Sequence, residues 1–387
     1  MSLDLASGPV VEQVDRVVRQ AITAGASDVH IEPFEREVRV RYRLDGVLHT
    51  AGTLRAAQAQ AIASRVKVLA SLDVAERRRP QDGKLRLDHD GRTVDVRVSV
   101  LPTQFGEKVV LRLLDRDAQP LDLSALGFEP GDLARLRGGI GSPNGIVLVT
   151  GPTGSGKTTT LYAALREATT EGVNVTTVED PVEYDLPGVN QTQARPDIGF
   201  GFAEALRAIL RQDPDIVMVG EVRDGETAQI AVRAALTGHL VLSTLHTNDA
   251  ASAPARLTDM GVEPYLLDAS LRLVVAQRLV RVLCPACSVP DERPETAAWL
   301  RAAGCDTGRA GSVRRAVGCD ACRGTGYRGR EAVSEVLGFG AFSNGHADGD
   351  VVGLREERGE GTSQLRKSVL QKVLEGRTSV EEARRVV

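Results

Sequence analysis

The run Gly151-Pro-Thr-Gly-Ser-Gly-Lys-Thr158 constrains the fold of this chain more tightly than any other stretch. It is a full G-x-x-x-x-G-K-T phosphate loop, preceded by the apolar, strand-length run Ile146-Val-Leu-Val-Thr150 and followed by a helix-forming segment. Glycines there let backbone N–H groups point inward around phosphates, and the N-terminus of the following helix favours the same negative charge. The pattern predicts that Gly151, Pro152, Thr153, Gly154, Ser155, Gly156, Lys157, Thr158 and Thr159 bind ATP. Lys157 would reach the β and γ phosphates, and the Thr158 hydroxyl would be a ligand to Mg2+. Further apolar strands at 173–178, 216–219 and 240–244, separated by helical segments, extend this into an α/β fold with a mostly parallel sheet.

Asp215-Ile-Val-Met-Val-Gly-Glu221 is another apolar run, and it delivers an acid at the C-terminal edge where ligands gather in open α/β sheets. An Asp usually precedes such a Glu and ligates the metal. Gly220 stands there instead, which leaves Glu221 to polarise or orient the attacking water. Between these runs, Val178-Glu-Asp-Pro-Val-Glu183 follows an apolar strand, and its carboxylates, Glu179 and Glu183 among them, suit a Mg2+ shell or a water near the γ-phosphate. Leu242-Ser-Thr-Leu-His-Thr-Asn248 ends another strand; His246 is either a sensor of the nucleotide state or an ordinary strand-end histidine.

Four of the five cysteines form two C-x-x-C pairs, Cys284-Pro-Ala-Cys287 and Cys319-Asp-Ala-Cys322. In a reducing compartment such pairs read as a closed, structural Zn2+ site with four thiolate ligands. Their separation is longer than in a compact zinc ribbon and suggests a small inserted module. The alternative, two separate redox motifs, lacks a neighbouring thioredoxin-like βαβ pattern.

Elsewhere, apolar residues recur at helical spacing over 10–24, and Val38-Arg-Val-Arg-Tyr-Arg-Leu alternates before Asp45-Gly46, a hairpin-turn pair. A helix is expected over 56–69 and alternating strands at 84–87, 93–100 and 108–114, followed by a polar linker over 115–121. A stretch at 338–361 is rich in glycine, and helices are expected over 363–374 and from near Ser379. The expected domains are an α+β domain over 1–116, the P-loop core over 117–283, a tetracysteine module over 284–336 and a C-terminal helical segment over 337–387. With a net charge of -4, a pI near 6.0 and only 3% aromatic residues, nothing favours nucleic acid or an anionic membrane as a partner. No run approaches the roughly 20 apolar residues that cross a bilayer, and the reading is cytoplasmic.

Taken in order, these motifs resemble the assembly ATPases of bacterial type II secretion and type IV pilus machines. Ala26-Ser-Asp-Val-His-Ile-Glu-Pro33, Arg41-Tyr-Arg-Leu-Asp-Gly46, Pro80-Gln-Asp-Gly83 and Gly106-Glu-Lys108 resemble that family's N-terminal core domain. The segment 179–183 resembles its Asp box, 212–224 its atypical Walker B, and Thr237-Gly-His239 through His246-Thr-Asn248 its His box. The resemblance implies a RecA-like P-loop core and a homo-hexameric ring driven by ATP hydrolysis. It further implies work on an inner-membrane platform protein that builds a pilus or pseudopilus, with the motor held peripherally at the cytoplasmic face. In that family, arginines of one subunit's N-terminal domain meet ATP bound in the subunit beside it. Arg97 and Arg112 match them by position, and Arg207 and Arg211 match further arginines near the phosphates. The tetracysteine module marks assembly-type members. Two departures stand out: secretion members carry an additional N-terminal domain ahead of the one at which this sequence opens, and 338–361 does not follow the family pattern. Two other functions compete with this one, a nucleic-acid-translocating RecA-like motor and a non-hydrolysing nucleotide-binding scaffold. The acidity and few aromatics oppose the first, and the joint presence of Lys157, Thr158 and Glu221 opposes the second.

Overall fold

Residues 7–115, 122–305, 312–340 and 364–387 are described by the computed structural model, and the chain divides into two compact units, Met1–Gln119 and Pro120–Val387. In the first unit, α1 (Val10–Ala24) buries the stripe Val14, Val17, Val18 and Ala21 and stops at Gly25, whose left-handed φ of 69° lets its N–H close on the last turn. Then follow β1 (Asp28–Pro33), β2 (Glu37–Leu44), β3 (Val47–Arg55), α2 (Ala59–Leu69), β4 (Gln81–His89), β5 (Arg92–Thr103) and β6 (Gly106–Asp115). They form one antiparallel sheet in the order β3-β2-β1-β6-β5-β4. Asp45 and Gly46, at φ 47° and 83°, make the tight turn expected between β2 and β3. Val38, Val40 and Tyr42 of β2 face the core under the helices, while Arg39, Arg41 and Arg43 stand on the other face. The expected linker at 115–121 lies, from residue 116 on, outside the described residues.

The second unit opens with α3 (Pro130–Ile140), β7 (Gly145–Thr150), α4 (Lys157–Ala168), β8 (Val175–Glu179), β9 (Val189–Gln193), α5 (Phe202–Ile209), β10 (Ile216–Val219), α6 (Gly225–Leu236) and β11 (Leu240–Leu245). It continues with α7 (Ala253–Asp259), α8 (Pro264–Ser270), β12 (Leu271–Leu283), β13 (Val289–Pro290), α9 (Pro294–Ala302), β14 (Arg314–Arg315), β15 (Tyr327–Gly338), α10 (Gln364–Leu374) and α11 (Val380–Val386). Its main sheet runs β15-β12-β7-β11-β10-β8-β9, parallel throughout except for the antiparallel pair β12/β15. β7, β8, β10 and β11 are buried along their whole length, as parallel strands covered by helices on both faces are.

The expected border between 336 and 337 falls inside β15 of this unit. Residues 327–336, expected inside the cysteine module, form most of β15, because Ala332, Val333 and Val336 complete the hydrophobic layer beside β12. The C-terminal helices likewise belong to this unit, with Leu365, Val369, Val373, Val380 and Ala383 in its core. Most of the glycine-rich stretch, from residue 341 on, lies outside the described residues. Among the described residues no helix is long and apolar enough to cross a membrane.

Candidate functional site

β7 ends at Thr150, α4 begins at Lys157, and the loop between them is shaped by its neighbours. Gly151 adopts φ 145°, and a side chain there would collide with the Gln277 carbonyl of β12. Gly156, at φ 87°, caps α4 and leaves room for the Gln277 amide. Gln277 is 2% exposed and braces the loop from below: its Nε2 donates to the Ser155 carbonyl at 2.9 Å, and its Oε1 accepts from Thr160 Oγ1 at 2.8 Å. Ser155 Oγ is buried without a hydrogen-bond partner among the described residues, an orphaned donor of the kind a phosphate oxygen satisfies. Lys157 Nζ donates to the carbonyls of Gly151 at 2.9 Å and Pro152 at 3.1 Å, which keeps the ammonium over the loop. Burial holds its pKa below the usual lysine value; the charge of Glu221 opposes that shift and the charge of Arg278 adds to it. Thr158 is exposed on the first turn of α4.

Parallel pairing of β7, β11 and β10 brings their C-terminal ends together. Glu221, just past β10, thus acts on Lys157 through its charge and lies 3.5 Å from His246 Nε2 and 2.6 Å from Arg223 Nε. His246 is half-exposed and follows β11 directly. The strand under the phosphate loop is tied to the same segment: Thr247 N donates to Thr150 Oγ1 at 2.8 Å in a buried pair.

Other expected residues sit differently. Glu179 closes β8 but is 3% exposed, and its carboxylate accepts from Tyr162 Oη, from Thr177 Oγ1 at 2.6 Å and from Gln191 Nε2 at 3.1 Å. That buried network turns three of the carboxylate's roughly four acceptor positions toward α4, β8 and β9. Glu183 joins the same corner, its N–H donating to Tyr162 Oη at 3.3 Å. Arg207 pairs with Glu226 of α6 and with Glu204 at 3.6 Å, and Arg211 donates to the Arg207 carbonyl at 2.9 Å. Neither is brought to the phosphate loop by a contact among the described residues. In the first unit, Arg97 and Arg112 are cross-strand partners on β5 and β6, and Asp28 Oδ1 holds Arg112 Nε at 3.2 Å.

The four expected cysteines converge, with their sulfurs all within 4.8 Å of one another. Cys284–Cys319 is 3.9 Å, and Cys287–Cys322 and Cys319–Cys322 are 3.8 Å. A tetrahedron of Zn–S bonds of about 2.3 Å has edges of about 3.8 Å, so the donor set fits zinc. The amides of Cys319 and Gly326 donate to Cys322 Sγ at 3.1 Å each. Burial opposes ionisation of Cys322, yet these amides outweigh it and bring its thiol down to about 6.

Sequence reasoning passed over Gln277, Arg278, Thr150 and Thr247. The one available signal was the adjacent polar pair Gln277-Arg278 directly after the apolar run 273–276 of β12, since consecutive strand residues point to opposite faces.

A phosphate loop at the end of β7, an acid at the end of β10 and this strand order define a P-loop nucleotide-binding core of the RecA-like kind. A family model described as Type II/IV secretion system protein matches residues 4–385. The type IV pilus assembly ATPase PilB of Myxococcus xanthus is 50% identical over an aligned length of 382, which covers 97% of this chain and 67% of that protein. The type II secretion system protein HxcR of Pseudomonas aeruginosa is 51% identical over an aligned length of 391, which covers 99% of this chain and 79% of that protein. Among solved structures, the ATPase DotB of Legionella pneumophila shares the fold, with a TM-score of 0.69 at 23% identity over 98% of this chain and 95% of that one. The chain belongs to the type II/IV secretion system protein family.

Proposed function

We propose that this chain is the ATP-hydrolysing motor of a type II secretion or type IV pilus assembly machine, working as follows. Its family and its relatives make it a P-loop ATPase of such machines. Backbone amides of 151–158 and Lys157 bind the phosphates, and Ser155 Oγ finds its partner there. Thr158 would hold a bound Mg2+, which would neutralise charge on the phosphates. Glu221 orients the attacking water and takes up its proton, while His246 at 3.5 Å registers the charge on Glu221. Glu179 acts by bracing α4 against β8 and β9. Arg207 and Arg211 serve the α5–α6 surface. Arg97 and Arg112 are supplied to a neighbouring subunit's nucleotide in a homo-hexameric ring, where a guanidinium stabilises charge on the transferring phosphoryl group. The cysteine cluster holds one structural Zn2+. The ring acts from the cytoplasmic face on an inner-membrane platform protein.

The observation that carries this reading is the convergence of Lys157, Glu221 and His246 at the ends of neighbouring parallel strands. Titrating a fluorescent ATP analogue tests it: Lys157→Ala should weaken binding by about 100-fold or more, because it removes a charge-assisted contact to the phosphates. Equal affinity in wild type and variant would contradict it.

A further inference from the structure

Arg278 stands on β12 directly after the residue that braces the phosphate loop, yet no role considered so far uses it. Its backbone lies beside the end of β7, where Ala276 pairs with Thr150. The guanidinium bridges two carbonyls. Nη1 donates to the Gln277 carbonyl at 3.1 Å, the oxygen that a side chain on Gly151 would strike, and Nη2 donates to the Asn248 carbonyl at 2.8 Å. It forms no ion pair among the described residues, although burial lowers its pKa against the opposing charges of Asp249 and Glu335. A half-buried guanidinium is costly to place, and simple packing would be served by an apolar side chain. What this one does is tie the floor of the phosphate loop to the backbone two residues beyond His246, which itself reaches Glu221. The buried Thr150–Thr247 pair makes a second tie between the same two segments, so the connection is built rather than incidental.

We propose that Arg278 is a positioning residue that transmits the state of the phosphate loop to His246, and through it to Glu221, by way of the Asn248 carbonyl. The proposal rests on the ATPase reading above. Arg278 touches no reacting atom. A shift of Gly151 moves the Gln277 carbonyl, the guanidinium follows, and the 246–248 segment is drawn with it. Such second-hand positioning shows in turnover before it shows in nucleotide affinity.

The test uses the assembled full chain with Arg278→Gln, Arg278→Lys, His246→Ala and the Arg278→Gln/His246→Ala double variant. Turnover, affinity for a fluorescent ATP analogue and Tm are read for each. Arg278→Gln should lower kcat about tenfold or more with affinity within about threefold, and Tm should stay within about 3 °C. In the His246→Ala background the same change should cost less than about twofold, because the path it acts through is already cut. Lysine reaches one carbonyl and not both, so Arg278→Lys should fall between, with the same dependence on His246 should the Gln variant fail to fold. Multiplying effects in the double variant, or a loss of affinity and Tm that matches the loss of kcat, would overturn the proposal. If wild type itself turns over no ATP, the ATPase reading fails instead.

Discussion

Glu179 and Glu221 close neighbouring parallel strands of one sheet, and their surroundings give them different work. Glu179 is enclosed by the hydroxyls of Tyr162 and Thr177 and the amide of Gln191, whereas Glu221 stands beside His246 and Arg223 in the field of Lys157. A carboxylate with most of its lone pairs taken by donors inside the fold stabilises structure, and one beside a histidine in the field of a loop lysine can act on a ligand. Removing the Tyr162 hydroxyl, as in Tyr162→Phe, should therefore cost about 1–3 kcal/mol of stability by stripping a donor from a buried acid. Urea denaturation measures this, with turnover of the folded protein changing by less than about threefold. A large loss of turnover at unchanged stability would return Glu179 to the chemistry.

At the scale of elements, the C-terminal helices are pinned to the sheet by buried charge. Glu382, fully buried on α11, is held by Arg281 at 2.7 Å and by Arg385, and Arg281 also lies over the Tyr327 ring at 3.9 Å. Burial works against ionisation of Glu382, but hydrogen bonds from Arg385 and Arg281 outweigh it and hold its carboxyl at about 2, below the usual 4.5. Because the folded value lies below the unfolded one, the stabilisation is complete above about pH 4.5 and is lost as pH falls toward about 2. Its size is on the order of 3 kcal/mol. Urea midpoints across that window should drop in wild type, and Glu382→Gln should flatten the slope. The elements that could be read in advance were those with a local signature: the phosphate loop, the Asp45-Gly46 turn, the stripe of α1 and the fully apolar strands. What could not be read depends on distant partners. Nothing near 327–338 announces that it pairs with 271–283, and neither the burial of Glu179 nor the grip of Gln277 on Ser155 has a sequence period. Those contacts span 17 positions between Glu179 and Tyr162, and 122 between Gln277 and Ser155.

For the whole molecule, two predictions concern assembly. Purified protein should carry one Zn2+ per chain by elemental analysis. Cys322→Ser should lose that metal and lower Tm by about 5 °C or more, since the four thiolates tie the 284–287 segment to the 319–322 segment. In rings where one subunit's Arg112 serves the next subunit's ATP, mixing inactive Arg112→Ala with inactive Glu221→Gln restores sites that draw each intact residue from a different chain. An equal mixture should regain about a quarter of wild-type turnover, the share of neighbour pairs with the right composition. No recovery would mean that Arg112 acts within its own chain or not at all.

On the proposed mechanism, Glu221 primes water against a nucleotide gripped at Lys157. Its most direct test is a single-turnover measurement on Glu221→Gln at saturating Mg-ATP, with binding followed in the same sample. Nucleotide should bind within about threefold of wild-type affinity, and the hydrolysis rate should fall by a factor of about 100 to 10,000. Hydrolysis at the wild-type rate by that variant would contradict it.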